Sequence, residues 1–283
     1  MSSRIITGIS DVADEYDAFV FDQFGVLHDG TSLYQNVLAV LEGLHEKKKK
    51  ILVLSNSGRS GQVNLDRILS FGIHKSWING VITSGDVAKS RVLGTFWQKK
   101  AAKCYLLASP NEDPSELLKA VPGLHLVDRV SECDFVYLSG MATGLAATWE
   151  RELLPELLFA GVPLVCSNPD MMAPSKDGLI VSTGTIAKAY QEAGGDVTFV
   201  GKPHGLVYEV LQEELQILGC DRALCIGDSY HHDVMGAHQA DLDSLLVLTG
   251  IHGQLFAGDD IAETLASKLV ENGIFPTLVS RTL

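Results

Sequence analysis

Three aspartates and a lysine carry the chemistry this chain can do, and each follows a short apolar run. Asp22 comes after "AFVF", Lys202 sits in "GKP" after "VTFV", and Asp228 follows "ALCI" with Asp233 five positions on. A fourth run, "ILVL", ends in Ser55-Asn56-Ser57, with Arg59 just beyond. Carboxylates on two strand ends with a third nearby are hard oxygen ligands suited to magnesium, which is held by one or two carboxylates, waters and phosphate oxygens. A lysine beside them pairs with the charge of a carboxylate nucleophile and of a phosphate, while serine hydroxyls and backbone amides hold phosphate oxygens. Asp22 is then placed to attack phosphorus and form an aspartyl-phosphate, splitting one hard displacement into two easier ones.

Those residues meet only if the runs are strands of one sheet. "AFVF" (18–21), "ILVL" (51–54), "GVIT" (80–83), "VTFV" (197–200), "ALCI" (223–226) and "LLVL" (245–248) are short, rich in β-branched or aromatic residues, and bounded by turn formers. Helical patterns at Val37–His45, Leu206–Leu218 and Val234–Ala240 alternate with them. That alternation predicts an α/β fold, a parallel sheet with helices on both faces. In such a sheet ligands bind beyond the carboxyl ends of the strands, where these clusters converge. The middle of the chain supplies a second set, "CYLLA" (104–108), "LHLV" (124–127), "FVYLS" (135–139) and "PLVCS" (163–167). It reads as an inserted α/β domain. The expected division is a core of residues 1–84 and 184–283 and an insert of 85–183.

Taken in order, "FDQFGV", "LSNSGR", "GKP" and "IGDSYHHD" resemble the four motifs of the haloacid dehalogenase (HAD) superfamily. The insert between the second and third, with "CSNPDMMAP" late in it and "GTIAKAYQEAGG" after it, resembles the class IIA, NagD-like branch. The resemblance covers nearly the whole chain. It implies a Rossmann-like core, an α/β cap, magnesium, and hydrolysis of small phosphate esters, with sugar phosphates the leading class. Carried over by position, it makes Asp22 the nucleophile and a metal ligand. Ser55 then binds the transferring phosphoryl group, Lys202 neutralises charge, and Asp228 and Asp233 serve the metal. The backbone carbonyl of Phe24 also touches the metal in this scheme. Asn56, Ser57 and Arg59 are further phosphate contacts, and Asn168 and Asp170 are substrate contacts on the cap.

Phe24 departs from the pattern, because the family has a second aspartate there. What is lost is the general acid that protonates the leaving alkoxide and then activates water. Such help is worth roughly 10²–10⁴-fold, or about 3–5 kcal/mol of barrier. The expectation is a slowed enzyme in which leaving groups that depart without a proton suffer least. His28 and His231, in the motif loops, are the candidates for a substitute acid. The alternative readings are a phosphometabolite-binding protein that has lost turnover, and transfer to an acceptor other than water.

Composition narrows the partners. The chain has 283 residues, 46% apolar, and a formal net charge of −13. Its length suits about two domains, and its charge opposes nucleic-acid binding, which needs a basic face. Five cysteines lie scattered without a C-x-x-C pair, as expected of reduced thiols. No apolar run approaches the roughly 18 residues of a membrane span, and the acidic N-terminal region has no signal-peptide character. The expectation is a cytoplasmic protein acting on a small phosphorylated metabolite. Caps of this size often pair, which makes a homodimer through the cap one option, and the sequence leaves the oligomeric state open.

Overall fold

A computed structural model describes residues 3–94, 101–175, 178–256, 260–271 and 273–283. The chain begins with strands β1 (Arg4–Ile5), β2 (Ala18–Phe21), β3 (Lys50–Ser55) and β4 (Gly80–Thr83). It continues through β5 (Lys103–Leu107), β6 (His125–Val127), β7 (Phe135–Leu138) and β8 (Leu164–Cys166). A hairpin of β9 (Met172–Ser175) and β10 (Gly178–Val181) precedes β11 (Val197–Phe199). The final strands are β12 (Ala223–Gly227), β13 (Asp243–Val247) and β14 (Leu278–Ser280).

Seven of these form one sheet in the order β1-β14-β13-β12-β2-β3-β4. The pairings from β1 across to β3 are all parallel. From β2 the chain winds outward through β3 and β4; from β12 it winds the other way through β13 and β14. The switch therefore falls between β2 and β12, which is where open parallel sheets bind ligands. Alternation along the strands explains the unbroken apolar runs. Phe19, Phe21, Ile51, Val53, Leu224, Ile226, Leu245 and Val247 enter one core cluster. Leu246 and Val279 enter another, with Tyr230, Phe256 and Leu265. A sheet buried on both faces has no polar positions to spare.

The chain divides into two compact units. The first comprises Met1–Ser55, Gln62–Ile82 and Lys202–Leu283; the second comprises Asn56–Gly61 and Thr83–Gly201. The second has its own parallel sheet, ordered β11-β8-β7-β5-β6, and its own core around Leu138, Leu157, Leu164, Ile186 and Tyr190. Trp149 packs in that core, and Trp77 against the core of the first unit; Trp97 lies outside the described residues.

Two expectations are corrected here. "VTFV" is not a strand of the first sheet: β11 pairs with β8, Val197 opposite Leu164 and Phe199 opposite Cys166. The chain accordingly returns to the first unit at Lys202, not at residue 184. Asn56–Gly61 also sit with the second unit, because Gly58 lies against the backbone of Ser139 and Gly85 against that of Gly58, each too close for a Cβ. Strand character shows in a sequence, but the sheet a strand joins depends on partners far along the chain.

Leu164 is fully buried and lies between β7 and β11 in the second sheet. Leu164→Ala should therefore cost about 2–5 kcal/mol in urea-induced unfolding. An unchanged midpoint would contradict this packing.

Candidate active site

The backbone N–H of Asp22 donates to the carbonyl of Ile226 at 2.9 Å, carrying the β2–β12 ladder one residue past the strand. The two chains then separate, leaving Asp22 and Asp228 at neighbouring strand ends. Beyond Asp228 the backbone enters a helical turn of π type, Tyr230–Val234, a geometry often found at functional sites. Ser229 and Asp233 cap that turn reciprocally: Ser229 Oγ accepts from the N–H of His232 at 3.2 Å, and Asp233 Oδ2 accepts from the N–H of Ser229 at 3.0 Å. The cap aims Asp233 back toward the sheet, where one oxygen from each of Asp22, Asp228 and Asp233 lies within 4.8 Å of the others.

Lys202 holds this cluster together. Its ammonium is 2.9 Å from Asp22 Oδ1 and 2.6 Å from Asp233 Oδ1, and the residue is only 3% exposed. Burial opposes the ammonium charge, but the Asp22 and Asp233 carboxylates outweigh it and raise the Lys202 pKa. One lysine against three carboxylates leaves a deficit of positive charge, and the acids register it. Burial above all, with the charge of Asp233 adding and Lys202 opposing, pushes Asp22 up to about 7. Burial, then the charges of Asp22 and Asp233, pushes Asp228 to about 8. Three close oxygen donors around a single ammonium fit a divalent cation, which supplies the missing charge.

Each carboxylate presents itself differently. Asp22 Oδ1 is taken by Lys202. Asp228 Oδ2 accepts from the N–H of Ile251 at 2.7 Å. Asp233 has a donor on each oxygen, Lys202 and Ser229. Asp22 and Asp228 therefore suit direct ligation best, and Asp233 suits holding Lys202 and the ion's waters. Ser55, 6% exposed, ends β3 beside β2.

The remaining candidates divide between the units. Asn56, Ser57, Arg59, Asn168 and Asp170 all belong to the second. There Asn56 Nδ2 donates to Asp170 Oδ1 at 2.8 Å, and the N–H of Asp170 donates to Asn168 Oδ1 at 3.1 Å. Ser57 Oγ accepts from the N–H of Arg59 at 3.3 Å. These contacts knit the loop after β8 to the segment after β3.

Phe24 occupies a packed niche. The Arg67 guanidinium lies 4.9 Å over its ring, and the ring of His28 meets it edge-on at 4.6 Å. Gly30, at φ +98°, passes so near that a Cβ there would lie 2.9 Å from Phe24 Cε1. His28 is a correction to the expected substitute acids. It is fully buried, and its Nδ1 accepts from the N–H of Gly30 at 3.0 Å, which puts the ring proton on Nε2. Burial and then the Arg67 charge lower its pKa to about 4. A neutral imidazole locked between Phe24 and Phe71 supports the loop and gives up no proton. The side chain of His231 is 59% exposed and 3.9 Å from Glu271.

Sequence reasoning passed over the residues after β13. Gly250 and Ile251 meet Asp228 through a bare Cα and a backbone N–H, and the Thr249 hydroxyl donates to the carbonyl of Gly25; no titratable residue type flags such contacts.

The acid shifts set a pH dependence. An unfolded carboxylate titrates near 4, so between about pH 4 and 8 Asp22 and Asp228 hold more protons in the folded, metal-free protein than in the unfolded one. Their contribution to stability should fall as pH rises through that window. A divalent cation displaces those protons, so magnesium should raise the melting temperature more at pH 8 than at pH 6. Scanning calorimetry at both values checks this, and a larger shift at pH 6 would contradict it.

Comparison with known proteins agrees with this geometry. Residues 19–120 match the family of haloacid dehalogenase-like hydrolases, and residues 199–271 match the HAD-hydrolase-like family. The 5'-nucleotidase YutF of Bacillus subtilis is 24% identical over 87% of this chain and 92% of its own. The D-glycerol 3-phosphate phosphatase of Mycobacterium tuberculosis is 28% identical over 85% of this chain and 65% of its own. A haloacid dehalogenase-like hydrolase from Brucella suis 1330 superposes with a TM-score of 0.78 at 26% identity, all of both chains being covered. With both matched segments holding the carboxylates described above, the chain belongs to the HAD superfamily, in its class IIA NagD-like branch.

Proposed function

We propose that this protein is a magnesium-dependent phosphatase that removes phosphate from a small phosphorylated metabolite, a sugar phosphate in the first instance, through an aspartyl-phosphate on Asp22. The observation that carries this reading is the Asp22–Lys202–Asp233 chain of charges with Asp228 beside it. Relatives that act on glycerol 3-phosphate and nucleotides support the substrate class.

Lys202 holds Asp22 Oδ1 and leaves Oδ2 to attack phosphorus. As that bond forms, the bond from phosphorus to the leaving oxygen breaks and its electron pair departs with the leaving group. Lys202 screens the repulsion between the attacking carboxylate and the phosphate. Ser55, at the adjacent strand end, holds a phosphoryl oxygen. Water then attacks the phosphorus and gives a proton to solvent, while the bond from phosphorus to the Asp22 oxygen breaks and its electron pair returns to the carboxylate. Asp22, Asp228 and the Phe24 carbonyl, with Asp233 behind them, would hold a divalent ion, which when bound would neutralise phosphoryl charge.

Phe24 offers no proton for the leaving oxygen, and His28 does not replace it. That observation supports a second reading, a phosphometabolite-binding protein with little turnover. The first is preferred because Asp22, Lys202 and Asp228 keep an arrangement that binding alone does not require. The two separate in an assay of magnesium-dependent phosphate release from phosphorylated metabolites and an aryl phosphate. Release from wild type and none from Asp22→Asn is expected; ligand binding without release supports the second reading, and no difference between the two proteins refutes the first. Phe24→Asp should raise turnover of alkyl phosphates by roughly 10²-fold and of aryl phosphates much less. An equal effect on both would contradict the role assigned to position 24.

A further inference from the structure

The carboxylate of Asp228 lies between two glycines from different strand ends. Gly25 is in the loop after β2 and Gly250 follows β13, and a Cβ on either would overlap the Asp228 carboxylate. Gly25 also has φ +81°, so two separate demands exclude a side chain there. In the sheet β12 separates β13 from β2, yet Thr249 Oγ1 donates to the carbonyl of Gly25 at 2.5 Å. The segment after β13 therefore crosses the end of β12 and is fastened on the far side. On the way the N–H of Ile251 donates to Asp228 Oδ2 at 2.7 Å, and His252 Nε2 accepts from the N–H of Tyr230 at 3.2 Å.

We propose that Thr249 is a positioning residue of the metal site, a staple that closes Gly250 and Gly25 over Asp228 and fixes the backbone around Phe24. The staple acts on two ligands at once. With Oδ2 occupied by Ile251 and glycines on both sides, Asp228 has Oδ1 to offer an ion and no room to turn. Gly25 is held at both its polar groups, since its N–H donates to the carbonyl of His28 at 3.1 Å while its carbonyl accepts from Thr249. The Gly25 N–H shares a planar trans peptide with the Phe24 carbonyl, so fixing one directs the other away from His28. Phe24 has no carboxylate to draw an ion in, which makes the aim of its carbonyl the more important. Contacts that orient metal ligands in this way typically set affinity by 10- to 100-fold.

The inference rests on the metal-dependent reading proposed above, and calorimetric titration of the full chain with magnesium alone tests both. Wild type should bind, Thr249→Val should bind roughly 10-fold or more weakly, and Thr249→Ser, which keeps the hydroxyl, should bind within about threefold of wild type. Melting each protein with and without magnesium separates positioning from folding. If Thr249 positions ligands, the valine variant loses most of the magnesium-induced rise in melting temperature. If it only supports the fold, the metal-free melting temperature drops and the magnesium-induced rise survives, which overturns the proposal. Wild-type binding matched by Thr249→Val also overturns it while leaving the metal reading standing. A wild-type protein that takes up no magnesium overturns the metal reading, and the staple's role with it.

Discussion

A single buried ammonium sets the terms for the rest of the site. Lys202 is nearly excluded from solvent and lies within hydrogen-bond distance of both Asp22 and Asp233. Breaking such a pair from one side leaves an uncompensated charge in the interior, at a cost on the order of 3–5 kcal/mol. The surrounding architecture follows from keeping the three groups together. β2 and β12 are neighbours at the switch of the sheet and deliver Asp22 and Asp228 side by side. Ser229 caps the turn that brings Asp233 back onto Lys202. Even so, the cation falls short of the three carboxylates, and the elevated pKa values of Asp22 and Asp228 reflect burial first and that shortfall second. A divalent ion by itself brings one ammonium and three carboxylates to neutrality.

Phe24 sits in a loop packed around its ring. A carboxylate at this position would face water or substrate, whereas an aromatic ring must be packed. Here Arg67 covers one face, His28 meets the edge, and glycine at position 30 leaves the ring its space. The His28 ring, held neutral by burial and by Arg67, belongs to the same packing. In the proposed scheme the loop gains rigidity around the Phe24 carbonyl and lacks a proton donor there, so the proposed chemistry leans on charge and positioning.

Much of this was legible in the sequence, for particular reasons. Strands buried on both faces leave continuous apolar runs, so β2, β3, β12 and β13 could be read directly, and the polar residues just past their ends stood out. Asp22 and Asp228 stand out in this way, and the structure brings them together with Asp233 and Lys202. β11 has the same apolar character and joins the other sheet, because pairing depends on the tertiary position of β8. β1 and β14, two and three residues long, carry too little pattern to register. His28 looked like an acid because imidazole is the usual one, but burial decides its protonation. Thr249 and Gly250 act through a hydroxyl and a missing side chain, and only the packing around Asp228 reveals them.

The most direct measurement is a crystal structure of the protein grown with magnesium and beryllium fluoride, a mimic of the phosphoryl group on a carboxylate. It should show the mimic bonded to Asp22 Oδ2, with Lys202 on Oδ1 and one ion joining Asp22, Asp228 Oδ1, the Phe24 carbonyl and the mimic. An ion bound elsewhere, or a mimic that leaves Asp22 unmodified at saturating concentration, would contradict the assignment of Asp22 as nucleophile and of this cluster as the metal site.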